Sequence, residues 1–383
     1  MQAGEHDKTS TTPRILWQFK ADSRIFATPA IGSDETLYVA SYDMLYALNP
    51  GGSEKWHYVT ASPLWRDSPI VGPDQSICVL TVGCEIHALN PDGSKRWIAV
   101  VGYSEPGVLL PGLFGPSCDA QSAPALSRSG ILVVPSGQGT LWTVDLRSGS
   151  TLKRLLSAPS AGVSSPAILP DRTIIEGSQV NGGTLSAVGE DGQLAWSVHS
   201  SQFASFGSPA VAADGNVVIS DSTAYLFAFD PSGRKKWQLA GRWGAVPVIA
   251  ASGVIFDALD YDQFAAVDAD GRLLWKIPMA RPSPAAIAED GTVYFVGYLQ
   301  GNDALAIALH PDGNIKWKLP VAGISEAGPT IAPDGTVYFV TQGMGSENAG
   351  MVYAIKENNG GLMKGGWPKF HGKVNNDGQA ITP

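Results

Sequence analysis

Gly52-Ser53-Glu54-Lys55-Trp56 is the stretch that decides the fold, because the chain keeps repeating it. Gly93 to Trp97 follows, then Gly192 to Trp196, Gly233 to Trp237, Gly271 to Trp275 and Gly313 to Trp317. In each, tryptophan follows a turn glycine by four residues. A period of about 40 residues is the mark of a repeat architecture. Working outward from the tryptophan, every unit also opens on a proline segment: Thr28-Pro29-Ala30-Ile31, Ser68-Pro69-Ile70-Val71, Ala123-Pro124-Ala125-Leu126 and Ser165-Pro166-Ala167-Ile168. The series continues at Ser208, Val246, Ser283 and Gly328, which makes eight units.

Between the two signatures lie a turn, often Asp-Gly, and a β-branched or aromatic strand such as Thr336-Val337-Tyr338-Phe339-Val340. A third strand of the type Leu45-Tyr46-Ala47-Leu48 and a second turn complete the unit. Asp-Gly turns supply the positive φ that tight hairpins need. Short strands at such close spacing predict an all-β protein. Four antiparallel strands per unit, eight times over, predict an eight-bladed β-propeller in a single domain, 1–383. One blade cannot bury both faces, so the tryptophans read as packing between neighbours.

Two units depart from the pattern. Gly149 is followed at the tryptophan position by Lys153, and the eighth unit has no Gly-x-x-x-Trp. The segment Arg14-Ile15-Leu16-Trp17-Gln18-Phe19 stands before the first proline segment, like a fourth strand without its first three. Residues 14–20 are therefore expected to complete blade eight, with 1–13 as a polar arm and 366–383 as a tail. A ring left open would expose an unpaired strand edge.

These units resemble the pyrroloquinoline-quinone (PQQ) enzyme repeat over about residues 14–365. The tail Gly366-Trp367-Pro368-Lys369-Phe370, with its later glycines, looks like a segment found at the ends of such propellers. The resemblance implies the propeller fold. Its family includes quinoprotein dehydrogenases and non-catalytic scaffolds, such as the propeller lipoprotein of the outer-membrane β-barrel assembly machinery. The dehydrogenases carry a vicinal cysteine pair that this chain lacks, and their calcium and quinone ligands find no match. No cofactor is therefore expected. The lipoprotein scaffold agrees better in size and blade count, although no lipobox cysteine stands near Met1. The resemblance implies export if a signal peptide has been removed; otherwise the polar N-terminus reads as cytoplasmic.

The bulk properties exclude some partners. A formal charge of −9 opposes nucleic acid and anionic membranes, which need clustered Lys and Arg. No apolar run is long enough to span a bilayer. Hydrophobic residues at 44% suit a packed core, and a monomer is expected. Three cysteines are too few for a disulfide framework; Cys78 reads as core, while Cys84 and Cys118, near loops, are either bridged or free. The six histidines show no metal spacing, and no metal site is expected.

Function is sought on the face where loops gather around the central channel. Trp65, Arg66, Asp67, Phe206, Arg242, Trp243, Arg281 and Glu326 precede the proline segments and are expected to ring the mouth; Tyr298 joins them as a candidate. Glu176 falls where other units place Val39, and Asp257 falls one position further on, where others place Ala40. A carboxylate in an apolar strand position needs a partner or water. Two readings stay open. Glu176, Asp257, Arg66, Arg281 and Glu326 perform acid/base chemistry without a cofactor (hydrolysis, elimination or cyclisation), or they pair and stitch blades together. The connection 102–118 is unusually long and apolar, with Leu109, Leu113 and Phe114. It is expected to act as a lid, a plug or a docking loop. The leading expectation is a binding or assembly scaffold for a protein, peptide or glycan; the alternative is an enzyme with a small-molecule pocket at the mouth, and quinone-dependent oxidation is third.

Overall fold

The computed structural model describes residues 13–380, apart from 102–121, 137–139, 157–163, 178–182, 200–205, 222–224, 245, 300–303 and 344–348. The expected lid residues Leu109, Leu113 and Phe114 lie outside the described residues, as does Cys118.

Strand β1 (Arg14–Lys20) is followed by blade one: β2 (Ala30–Ile31), β3 (Leu37–Ser41), β4 (Met44–Leu48) and β5 (Glu54–Val59). The same four-stranded antiparallel sheet recurs seven times, giving an eight-bladed propeller. Blades two to seven span 70–100, 125–156, 167–199, 210–240, 248–278 and 286–321. Blade eight takes Thr330–Ile331, Thr336–Thr341 and Met351–Lys356 from the end of the chain and β1 from its beginning. β1 pairs along Met351–Lys356, from Arg14 opposite Lys356 to Lys20 opposite Met351. The ring closes as expected: β1 covers the outer edge of Met351–Lys356 and is itself the outermost strand of blade eight.

In each blade the first strand is short and faces the channel, while the fourth lies at the rim; in blades one, four, five, six and eight its residues are exposed or half-buried throughout. The core lies between blades, where buried residues of neighbouring sheets form joint clusters.

The tryptophans form an outer belt. Trp56 Nε1 donates to the Pro91 carbonyl in the turn of the next blade at 2.9 Å. Trp97, Trp196, Trp237 and Trp275 do the same to Leu146, Pro231, Ala269 and Pro311 at 2.8–3.0 Å. Trp317 meets the Glu357 carboxylate instead, and Trp17 on β1 carries the belt across the closure to Pro50. The turn glycine is needed because the ring lies on it. A Cβ at Gly233 would stand 2.5 Å from Trp196, in a backbone already at φ +82°. At the one interface without tryptophan, the Lys153 ammonium donates to the Asp191 carbonyl of the next turn. The departure in sequence keeps the same bond.

The proline segments form an inner ring. At Thr28, Ser68, Ser165 and Ser208 the hydroxyl before the proline accepts the backbone N–H at the equivalent position of the preceding blade. Thr28 N donates to Ser68 Oγ at 3.0 Å, Ser165 N to Ser208 Oγ at 3.0 Å, and Gly328 N to Thr28 Oγ1 at 3.1 Å.

Candidate functional site

The channel is a blind cup rather than a pore. The tail crosses its far end and bonds to the ends of the inner strands. Ile31 N donates to Val374 O, Val71 N to Asn375 O, Leu126 N to Asp377 O and Ile168 N to Gly378 O, all at 2.8–3.0 Å. Ile249 exchanges two such bonds with Trp367, and Ile287 N donates to Pro368 O. One strap thereby holds blades one, two, three, four, six and seven.

The strap is knotted by buried polar groups. Asn376 Nδ2 donates to the carbonyls of Thr28 and Pro69 at 3.0 and 3.1 Å, while its Oδ1 accepts from Lys369 Nζ. Lys369 is fully buried, and burial lowers its pKa to about 7 against the raising effect of Asp377. His371 is buried too; its Nδ1 lies 3.1 Å from the Asn376 carbonyl, and among the described residues Nε2 has no hydrogen-bond partner. Burial holds its pKa down at about 3.

Above the strap lies a cavity of about 560 Å³, floored by Phe370 and lined by Thr28, Ser68, Ser165, Ser208 and Ser283 of the inner ring. Phe26, Arg66, Tyr261, Arg281 and Glu326 form its wall. Arg66 and Glu326 form an ion pair that bridges from the entry of blade two to that of blade eight. Among the described residues no carboxylate pairs with Arg281. Its N–H is held by the Tyr261 carbonyl at 2.8 Å, and it has a left-handed backbone, φ +48°. Trp65, at φ +49°, stacks on Phe26 at 5.2 Å, with Tyr42 edge-on at 5.7 Å. Arg242 lies 5.5 Å over the Tyr261 ring. Non-glycine residues held in left-handed backbone concentrate where function constrains the chain.

The structure brings Arg66, Arg281 and Glu326 to one cavity, with Trp65 and Arg242 on its rim. Tyr298 lies near Arg281: burial raises its pKa, and the guanidinium opposes that. The other candidates sit elsewhere. Asp67 is buried beneath the rim, accepts Leu80 N at 2.5 Å, and has its pKa pushed well up by burial. Phe206 and Trp243 are core residues, 2% and 3% exposed, in the cluster between blades four, five and six. Glu176 and Asp257 are both buried in second strands, in blades four and six. Their register corrects the sequence reading. Ile175 pairs with Ala167 as Phe256 pairs with Val248 and Tyr38 with Ala30, so Asp257 occupies the same pleat position as Glu176 and Val39. Val39 and Phe295 at that position pack toward the preceding blade. The two carboxylates therefore face different interfaces, and neither lines the cavity. Asp257 Oδ1 accepts Ala258 N at 2.8 Å.

Sequence reasoning missed Phe370, Tyr261 and the strap. The signal for the strap was present in the polar run Lys369 to Gln379, which is too dense in Asn, Asp, His and Lys for a segment that ends up buried. Cys84 is disulfide-bonded, whereas Cys78 is a buried free thiol.

Similarity to known proteins follows the fold. BamB from Moraxella catarrhalis is 17% identical, with 90% of this chain and 100% of that chain covered and a TM-score of 0.68. The quinohemoprotein alcohol dehydrogenase from Comamonas testosteroni is 12% identical, with 89% and 76% covered and a TM-score of 0.70. A europium-containing methanol dehydrogenase is 12% identical, with 90% and 93% covered and a TM-score of 0.68. At such identities the likeness shows the fold alone. No curated protein matches the chain significantly. A family model does match, three times over, at residues 9–180, 85–242 and 222–364. With nearly the whole propeller covered, the chain belongs to the PQQ_2 family, described as "Outer membrane protein assembly factor BamB".

Proposed function

We propose that this protein is an assembly scaffold that holds a partner protein against the mouth of its channel. The observation that carries the reading is the rim. Trp65 on Phe26, Arg242 on Tyr261, and Arg281 are fixed by stacking and left-handed backbone around a cup sealed from below. Trp, Tyr and Arg on a rigid frame are the residue types that dominate binding energy at protein interfaces. The family description supports an assembly role. The Cys84 disulfide supports an exported, oxidising location.

A photo-crosslinking amino acid placed at Tyr261, which is 58% exposed, tests this in the cells that make the protein. A discrete adduct is expected there and not from Ile315, at the exposed rim of blade seven. Equal labelling from both positions, or none from the mouth, contradicts the proposal. A second reading rests on the cavity itself: about 560 Å³ is within the size range of small-molecule sites. Under that reading Arg281 and the Arg66–Glu326 pair bind a polar small molecule, and Arg281→Ala abolishes its binding without changing the crosslink.

A further inference from the structure

The repeat contains a vacancy, and its own neighbours show what shape fills it. In blade one the second-strand residue Tyr38 lies in the interface with blade two, 5.8 Å from the Trp56 ring. The pairing recurs as Phe256 with Trp275 at 5.9 Å, Tyr294 with Trp317 at 5.9 Å, and Tyr338 with Trp17 at 5.6 Å. Blades two and four have Cys78 and Ile175 at this position, and a leucine compensates. In blade two it is Leu146, which reaches from the turn of blade three to within 2.8 Å of a Cβ on Gly72. In blade four it is Leu169, which joins the cluster of Ile175 against which Trp196 packs.

Blade five has neither device. Strand pairing places Val218 at the position of Tyr38. Ala212 stands where blade four has Leu169, and Ala269 in the turn of blade six stands where blade three has Leu146. The result is a cavity of about 220 Å³ between blades five and six, walled by Val218, Trp237, Ile249, Ile255, Ala212 and Ala269. Asp214 and Asn216 form its polar end. An apolar cavity of about 150 Å³ is enough to admit benzene.

The polar end identifies the ligand class. In blade one the Tyr38 hydroxyl lies by the side chains of Thr36 and Asp34, which act on its ionisation in opposite directions. Asn216 and Asp214 occupy those two positions in blade five. In blades one, two, seven and eight the aspartate is also tied by a cation: Lys55, Arg96, Lys316 and Lys356. In blade five the residue before Trp237 is Lys236, and among the described residues no ion pair joins it to Asp214. Asp214 Oδ1 accepts Asn216 N at 3.1 Å, and Asn216 Nδ2 donates to Oδ2, which leaves carboxylate lone pairs for a hydroxyl donor.

We propose that this cleft binds a small para-substituted phenol as a free ligand. Its ring takes the place against Trp237 that Tyr38 takes against Trp56, and its hydroxyl donates to Asp214, a charge-assisted bond. The site lies at the opposite end of the inner strands from the channel mouth, so it stands or falls independently of the scaffold reading.

The test is a titration of the full chain with 4-methylphenol, following the indole N–H signals of ¹⁵N-labelled tryptophan. A saturable shift of Trp237 is expected, with Trp56 unmoved. Val218→Phe and Ala212→Leu install fillers that the repeat itself uses; each should weaken binding at least about tenfold and raise the melting temperature. Two fillers are used so that one poorly folded variant does not decide the matter. Asp214→Ala should weaken 4-methylphenol and leave toluene unchanged. Absence of a saturable shift, undiminished binding in the folded filled variants, or equal affinity for toluene in the native protein overturns the proposal.

Discussion

The outer belt and the channel mouth obey opposite rules. At the belt, Trp17, Trp56, Trp97, Trp196, Trp237 and Trp275 make one bond, to the carbonyl in the next blade's turn, and Lys153 substitutes a different side chain to keep it. At the mouth the equivalent entry positions carry Phe26, Arg66, Arg281 and Glu326, each with different partners. Sameness marks what closes the ring, and variation marks the mouth, the face to which the proposed function assigns a partner.

The sharpest way to break the belt is to open it. Deleting residues 1–20 removes β1, the Trp17 bond and the pairing that covers Met351–Lys356. A bare edge strand and a lost interface should cost about 4–5 kcal/mol and lower the melting temperature by about 5 °C. Melting followed by circular dichroism checks this; an unchanged midpoint would mean that β1 is dispensable.

Next in size is a comparison within the belt. Gly233→Ala places a methyl 2.5 Å from the Trp196 ring, at φ +82°. Gly192→Ala, at φ +84°, meets only Leu155 and the tip of Lys153, at 3.1–3.3 Å. Both pay the backbone strain of about 1–3 kcal/mol, but a lysine end moves where an indole cannot. Gly233→Ala should be the more destabilising by about 1–2 kcal/mol in urea unfolding. Equal losses would show that conformation, not the ring, requires the glycine.

The strap gives a smaller, pH-dependent effect that the belt should not share. His371 has a folded pKa of about 3 against 6.5 when free, so the folded state resists its protonation. Its stability is intact above pH 6.5 and drains as pH falls from 6.5 toward 3. Lys369, at about 7 against 10.5, works in the same direction higher up: stability rises with pH between 7 and 10.5. Asp377 and Lys373, paired at 2.9 Å, are the charges that face this knot. Replacing His371 with Gln should flatten the acid limb of a stability profile. A profile that stays as steep would place the acid sensitivity elsewhere.

What was legible in the sequence follows from the same contrast. Blade number and strand order are written in every unit, so local errors average out, and ring closure follows from the one unit that lacks its fourth strand. The mouth is written once. Arg66, Arg281 and Glu326 were found because charges before the proline segments break a bland pattern. Asp67, Phe206 and Trp243 shared that placement, yet the chain turns them into the core, which loop position alone does not encode. Asp257 was misplaced by one residue because side-chain direction depends on register, and register was visible only in the pairing of Phe256 with Val248. The strap went unread because its bonds join residues some 300 positions apart, as from Asn376 to Thr28 and Pro69.

Lys153 provides the finest test, because there the belt already has an exception. If the bond to the Asp191 carbonyl is what the position preserves, Lys153→Met should keep the aliphatic stem and lose only the donor. The site is exposed, so water can replace the lost partner and the cost should be at most about 1 kcal/mol. Lys153→Trp should recover the bond but not the packing, since Leu155 stands 3.1 Å from a Cβ on Gly192, where other interfaces bring the indole. Urea midpoints of the two variants decide it. A loss in Lys153→Met much above 1 kcal/mol would make the ammonium more than a stand-in for an indole N–H. A gain in Lys153→Trp would show that blade three had room for the common residue, and that its lysine was kept for a reason other than closure.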